Sequence, residues 1–318
     1  MESRRRPRRF ANTPRPSEVA SSHGSWPTRS ILLAGFLCLL AGCTSYRLSS
    51  PGAHPNVLPS PSLTAEQQAK VQHSCFDGLP QKASRKLGPT EFVFREGYVL
   101  EFSSVAKIPL WVCETVSSAQ LGGAYHREGR FRSDPDLKGP KSQSGDYANS
   151  GYDRGHQAPA GDQTQNREQN AATFFMSNIA PQTPTLNEGI WEKLENRVRH
   201  WAREYGQVYV FTGPVFFDQV SGEWNPSALT RPAHTIGGDA VAVPTHFYKI
   251  VLARTQADGQ WRAIAFVLPN TDYARPYLPE NYRSTIQWIE NHTGIRFIPE
   301  AVASERRRLE TATSQMWP

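Results

Sequence analysis

Five stretches of the chain read as strands: EFVFREGYVLEF (91–102), IPLWVCETV (108–116), QVYVFTGPVF (207–216), THFYKIVLAR (245–254) and WRAIAFVLP (261–269). They are rich in β-branched and aromatic residues, and Gly, Pro, Asp or Asn bounds most of them, as expected of strands closed by turns. Helical spacing is rarer. Between 187 and 206 the apolar residues Ile190, Trp191, Leu194, Val198 and Trp201 recur three and four positions apart, which predicts an amphipathic helix with Gly206 as its stop. A second helix is predicted over 280–294. A third, polar one is predicted over 299–312, where the arginine run reads as a solvated face. No internal repeat is visible. The pattern predicts an α+β fold with a mostly antiparallel central sheet and flanking helices.

One apolar run stands apart. ILLAGFLCLLAG (31–42) is too short to cross a bilayer comfortably as a helix. Preceded by RRRPRR and Arg29, it fits the h-region of a secretory signal, with a basic n-region so long that the true start codon stays open. Leu40-Ala41-Gly42-Cys43 resembles a bacterial lipobox. That resemblance implies that Cys43 carries a lipid and ties the chain to the cell envelope, at the outer membrane in a Gram-negative cell. The alternative is an ordinary signal peptide with a chance cysteine. The predicted organisation is a leader over 1–42, a Ser/Pro-rich tether over 43–64 and one domain over 65–318.

The leader changes the meaning of the charge. Residues 1–42 hold seven arginines and two acids, so they carry +5 of the net +6 and leave about +1 for the rest. The basic balance therefore reports targeting. It is not evidence of a nucleic-acid-binding surface, although a local basic groove stays compatible with it. Cysteine usage follows the same division. Without Cys38 and Cys43 only Cys75 and Cys113 remain, too few for a structural zinc site. In an oxidising compartment these two could pair; the sequence leaves that open.

Candidate chemistry gathers around GYDRGHQAPAGD (151–162), which sets Asp153, Arg154 and His156 within four consecutive positions. Alone, an Asp–Arg pair in a loop is a solvated ion pair of little consequence. Downstream, FFMSNIAPQTPTLNEGIWEKLE (174–195) runs from a strand through a loop into the predicted long helix and carries Asn178, Asn187 and Glu195. The ordered set D-R-G-H, S-N-I-x-P-Q and L-N-x-G-x-W-x-x-L-E resembles the DNA/RNA non-specific endonuclease family. VFTGPVF (210–216), VPTHFYKIVL (243–252), AFVLPN (265–270) and TIQWIENHTGIRF (285–297) follow in the family's order, so the resemblance covers about residues 75 to 298.

The resemblance implies a ββα-metal active site and an endonuclease that cuts DNA and RNA with little sequence preference. Such chemistry needs an activated water and stabilisation of phosphoryl and leaving-group charge. A neutral histidine near pH 7 suits the first task, and His156 is the candidate. A divalent cation suits the second. Asn187 matches the family's metal ligand, and a site with one amide oxygen as direct protein ligand suits Mg2+, with Mn2+ as a substitute.

Glu195 lies eight residues on, about 80° beyond two full turns and about 12 Å along an ideal helix, so it is expected to hold metal-bound water rather than the metal. The alternative is an exposed charge paired with Arg199. Arg127 is preferred over Arg130 as the arginine that stabilises the transition state, on an aromatic-x-x-Asp pattern that the spacing does not settle. Arg154 either touches phosphate or supports the fold. Asp153 either orients a neighbouring group or makes a surface pair. Asn178 matches a family position near the metal helix, with loop capping as the other reading. Lys249 either contacts phosphate or is solvated on its strand. His246 and His292 read as packing or surface residues, and Trp191 and Trp201 as core. Two other functions remain: a tethered nucleic-acid-binding module without catalysis, and a phosphodiesterase of the same fold acting on another anionic substrate.

Overall fold

The computed structural model of the protein describes residues 61–82, 88–217, 232–299, 301, 303–313 and 315–318. The predicted leader, Cys43 and the tether as far as residue 60 lie outside the described residues.

The five apolar runs supply six strands of one antiparallel seven-stranded sheet, and Arg283–Ser284 adds the seventh at its edge. Its order is Arg283–Ser284, Trp261–Pro269, His246–Arg254, Gln207–Val215, Ile108–Ser117, Val99–Ser103 and Thr90–Phe94. Four runs are single strands within one residue of expectation. The run 91–102 is instead a hairpin of two strands, turned by Glu96-Gly97, with the Arg95 N–H donating to the Tyr98 carbonyl at 2.9 Å. At Gly97 a Cβ would sit 2.6 Å from Gln163 Oε1, so a bare backbone is what lets the turn pack there.

Ile108–Ser117 and Gln207–Val215 pair directly at the centre of the sheet, although the whole segment 118–206 lies between them. That segment carries the candidate chemistry. It ends in the helix Glu192–Tyr205, whose buried stripe is Leu194, Val198, Trp201 and Ala202. Trp201 stacks on Phe266 of the sheet, centroids 6.3 Å apart, and Trp191 meets Phe247 edge-on at 5.8 Å. Each large apolar side chain on this face contributes on the order of 2 kcal/mol by leaving water.

The strand His246–Arg254 is covered on both faces, with Phe247 through Ala253 buried. This is why its sequence is nearly continuously apolar rather than alternating.

A short helix, Ala65–Ser74, forms from a largely polar sequence. Its signal was a capping box: Thr64 and Gln67 each accept the other's backbone N–H, at 3.2 and 3.0 Å. The helix ends at Cys75, which is disulfide-bonded to Cys113 in the central strand, 38 positions away. Closing a loop of that length removes unfolded-state freedom equivalent to roughly 4 kcal/mol.

The C-terminal helices are Ile286–Thr293 and Ala303–Glu310, both shorter than the predicted spans. Pro279–Tyr282 forms a separate turn, Arg283–Ser284 joins the sheet edge, and Gly294, at φ +67°, ends the helix in the left-handed conformation that suits glycine. Trp317 then packs on Trp201 and Tyr205, at 5.1 and 5.3 Å. Among the described residues no helix is long and apolar enough to cross a membrane.

Candidate active site

The D-R-G-H residues form the strand Asp153–His156, paired antiparallel with Ile179–Gln182. Gly155 is dictated by that pairing, because a Cβ there would lie 2.1 Å from Gln182 Oε1. The second strand leads into a π-helical turn, Leu186–Trp191, and then into the helix Glu192–Tyr205. The local order is strand, strand, helix. The predicted helix over 187–206 therefore begins with a widened turn, a geometry common at functional sites.

These elements enclose a cavity of about 590 Å³, lined in part by Arg127, Asp153, Arg154, His156, Asn187 and Glu195. Residues from three separate stretches of sequence thus line one cavity. Arg130 does not line the cavity, which separates it from Arg127. His126, Glu188, Glu192 and Arg199 also line it. Their sequence surroundings held no motif signal beyond nearness to the matched residues.

His156 is held between Phe131 and Phe174, with ring centroids at 5.3 and 5.0 Å. Its Nε2 is buried with no hydrogen-bond partner among the described residues. Burial, and then the Arg127 guanidinium, push its pKa down to about 3. The imidazole is therefore neutral throughout the physiological range. Arg127 itself is solvent-exposed, with Cζ 5.6 Å from the Phe174 ring.

Arg154 is anchored. Its Nε donates to Ser144 Oγ at 3.1 Å and its Nη2 to the Ser144 carbonyl at 2.6 Å, while the guanidinium lies 5.6 Å from the rings of Phe131 and Tyr147. It supports the 144–154 loop and borders the cavity with the rest of its surface.

Asn187 donates from Nδ2 to Asp153 Oδ2 at 3.0 Å. A carboxylate only accepts, so this bond fixes the orientation of the amide and leaves Oδ1 as its open oxygen. Asp153 is thus an orienting group rather than a surface ion pair. Among the described residues no three His, Cys, Asp or Glu side chains gather where a metal could sit. A cation here would rest on the oxygen of Asn187 and on water, some of it held by the Glu195 carboxylate in the same cavity lining. Those are hard oxygen donors of the kind Mg2+ or Mn2+ takes.

Glu195 is half-buried on the same wall. It is not an exposed partner of Arg199, which instead donates to Asp162 Oδ1 at 2.7 Å and to Asn196 Oδ1 at 2.9 Å. Burial pushes the Glu195 carboxyl up to about 7, against the pull of Lys249 and Arg199. Behind it, Glu114 and Asp162 are buried and raised by the same loss of hydration.

Lys249 is the cation of this interior cluster. It is 1 % exposed, donates to Thr212 Oγ1 at 2.8 Å, and lies 4.8 Å from the Trp191 ring. It therefore neither contacts phosphate nor is solvated, because its strand is covered on both faces.

Asn178 is also placed differently from a substrate-touching residue. It is fully buried and does not line the cavity. Its amide accepts from the Ala158 N–H at 2.9 Å and donates to the Ala158 and Thr173 carbonyls at 2.8 and 2.9 Å. Both polar atoms of the amide are used, tying the chain just after His156 to Thr173, which is the loop-bracing reading.

The remaining assignments follow the packing. His246 bonds Thr245 Oγ1 at 3.1 Å and is pushed down to about 4 by burial, and His292 stacks on Trp288 at 3.8 Å. Trp191 and Trp201 are core, at 1 % and 0 % exposure.

Comparison with known proteins bears on this geometry. A family model described as DNA/RNA non-specific endonuclease matches residues 81–304. Human "Endonuclease G, mitochondrial" is 34% identical over 228 residues, covering 71% of this chain and 73% of that protein. "Nuclease C1" of Cunninghamella echinulata var. echinulata is 33% identical, covering 70% of this chain and 89% of its own. "Nuclease EXOG, mitochondrial" of Danio rerio is 34% identical over 70% of this chain, and the match spans 63% of that protein, just under two thirds of its length. A chain in a crystal structure of an EndoG/EndoGI complex superposes with a TM-score of 0.64 at 24% identity, over 81% of this chain and 100% of its own, which is a likeness of fold.

Proposed function

Since the chain belongs to the DNA/RNA non-specific endonuclease family, we propose that it hydrolyses phosphodiester bonds of DNA and RNA with little sequence preference. The observation that carries this reading is the neutral His156 in one cavity with Arg127 and with the oriented amide of Asn187.

In this reading, His156 accepts a proton from the attacking water as the new P–O bond forms and the ester P–O bond breaks. Arg127 faces the charge that grows on the phosphoryl oxygens. Asn187 Oδ1 would hold a divalent cation, Mg2+ by the chemistry of its donors, with Glu195 holding its water. When bound, the cation supplies charge stabilisation to the phosphoryl and leaving oxygens. Asp153 keeps the Asn187 amide turned, and Asn178 keeps the His156 loop in place. The charged groups around the cavity address a phosphate rather than base edges, which supports low sequence preference.

The same reading keeps the leader over 1–42, the lipid on Cys43 and a place in the bacterial cell envelope as proposals. The Cys75–Cys113 bridge supports an oxidising compartment. Processing and membrane association that are unchanged in Cys43→Ser would refute the anchor.

The functional test compares plasmid DNA, RNA and a small phosphodiester as substrates, with Mg2+ and with EDTA. Cleavage of both polymers only with cation, lost in Asn187→Ala, is the expected result. Binding without cleavage would favour a tethered binding module. Hydrolysis of the small diester alone would favour a phosphodiesterase of another substrate.

A further inference from the structure

A second groove, of about 710 Å³, lies beside the catalytic cavity and shares Glu188 and Glu192 with it. Its far wall is the loop that carries Arg275 and Tyr277. Arg275 is exposed and makes no ion pair among the described residues; its Cζ lies 5.5 Å from the Tyr277 ring centroid. An unpaired guanidinium beside a half-buried aromatic ring is the chemistry that receives a phosphate together with a sugar and base.

The groove is built onto the catalytic segment. Asn270 accepts from the Thr183 N–H at 2.9 Å and donates to the Pro181 and Pro244 carbonyls at 3.0 and 2.9 Å. Thr183 Oγ1 donates to the Thr271 carbonyl at 2.7 Å, Thr185 Oγ1 accepts from the Tyr273 N–H at 2.9 Å, and the Lys193 ammonium donates to the Tyr277 carbonyl. Gly189 has no side chain where the Tyr277 ring sits, since a Cβ would lie 2.7 Å from Tyr277 Cζ. The loop of Arg275 is thereby held at a fixed distance from the turn that carries Asn187. Between the two cavities stand the exposed carboxylates Glu188 and Glu192. A phosphate is repelled from that ridge and settles on one side or the other, which sets the register of a strand lying across it.

We propose that this groove is a nucleotide subsite, in which Arg275 holds the phosphate flanking the scissile one and Tyr277 supports the sugar and base between them. The proposal rests on the nuclease reading, and two independent measurements separate them.

The first is binding of a fluorescent single-stranded oligonucleotide in EDTA, by anisotropy, for the parent, Arg275→Ala and Tyr277→Ala. The second is cleavage of the oligonucleotide and of bis(p-nitrophenyl) phosphate with Mg2+. Arg275→Ala is expected to weaken binding and raise KM about five- to tenfold, with kcat and small-diester hydrolysis unchanged. Its log Kd against log[salt] slope should fall by about 0.7, the loss of one phosphate contact on a single strand. Tyr277→Ala should weaken binding with the slope kept.

Unchanged affinity and slope in Arg275→Ala would overturn the subsite while leaving the nuclease reading intact. Equal loss on the small diester, which does not reach the groove, would also overturn it, because the loop would then be acting through the Asn187 turn. A parent that binds the oligonucleotide through Arg275 but does not cut it would refute the nuclease reading and keep the subsite.

Discussion

Replacing Glu195 by glutamine should remove the pH dependence of metal activation. Burial, only partly opposed by Lys249 and Arg199, pushes this carboxyl from 4.5 up to about 7. At 1.36 kcal/mol per unit, the displacement favours the protonated form by at most about 3 kcal/mol, since cavity water screens it. His156, at about 3, does not change charge between pH 5 and 7. Of the groups assigned to the reaction, Glu195 is the one that titrates in that window. Its sign is fixed: below pH 7 the carboxyl is neutral and does not draw a cation; above pH 7 it is ionised and does. Competition with one proton makes the apparent cation affinity about fiftyfold weaker at pH 5 than at pH 7, and level above pH 8. The assay is the activation constant for Mg2+, or for Mn2+, from initial cleavage rates between pH 5 and pH 8.5. The parent should follow this curve. Glu195→Gln should bind the cation weakly at every pH and show no such slope. The same slope in both proteins would refute the reasoning, as would a flat profile in the parent.

His156→Ala should lower the cleavage rate on the order of 10²–10⁴-fold while the protein stays folded by circular dichroism. Because the folded-state pKa of His156 is depressed, its contribution to stability is present above pH 6.5 and is lost as pH falls toward about 3. The parent should therefore lose melting temperature more steeply than His156→Ala between pH 6.5 and pH 4; parallel curves would contradict the shift. Lys249→Met should destabilise the protein by about 3 kcal/mol or more in a urea titration, because it leaves the buried Asp162 and the half-buried Glu195 facing Arg199 alone. A loss below 1 kcal/mol would mean that the interior cluster is neutral without it. Replacing both Cys75 and Cys113 by serine should cost up to about 4 kcal/mol in the same assay, and an unchanged midpoint would show that the bridge constrains nothing that unfolds.

Much of the fold was legible because its signals are local. β-Branched and aromatic runs marked the long strands, and the three- and four-residue spacing from Ile190 to Trp201 marked the helix that lies on the sheet. The ordered motifs named the residues that meet in the cavity, since His156, Asn187 and Glu195 each sit in a stretch whose neighbours carry the pattern.

What stayed hidden depends on partners distant in sequence. Lys249 looks solvated until both faces of its strand are covered, and Glu195 looks like half of an i,i+4 pair until Asp162 takes Arg199. The bond from Asn187 to Asp153 spans 34 positions, the Cys75–Cys113 bridge 38, and the bonds that seat the Arg275 loop beside the catalytic turn more than 80. Propensity and periodicity act between near neighbours, and so they determined which segments became strands and helices. Charge state, orientation and subsite depend instead on desolvation and on contacts across the sheet, and only the assembled tertiary structure decided those.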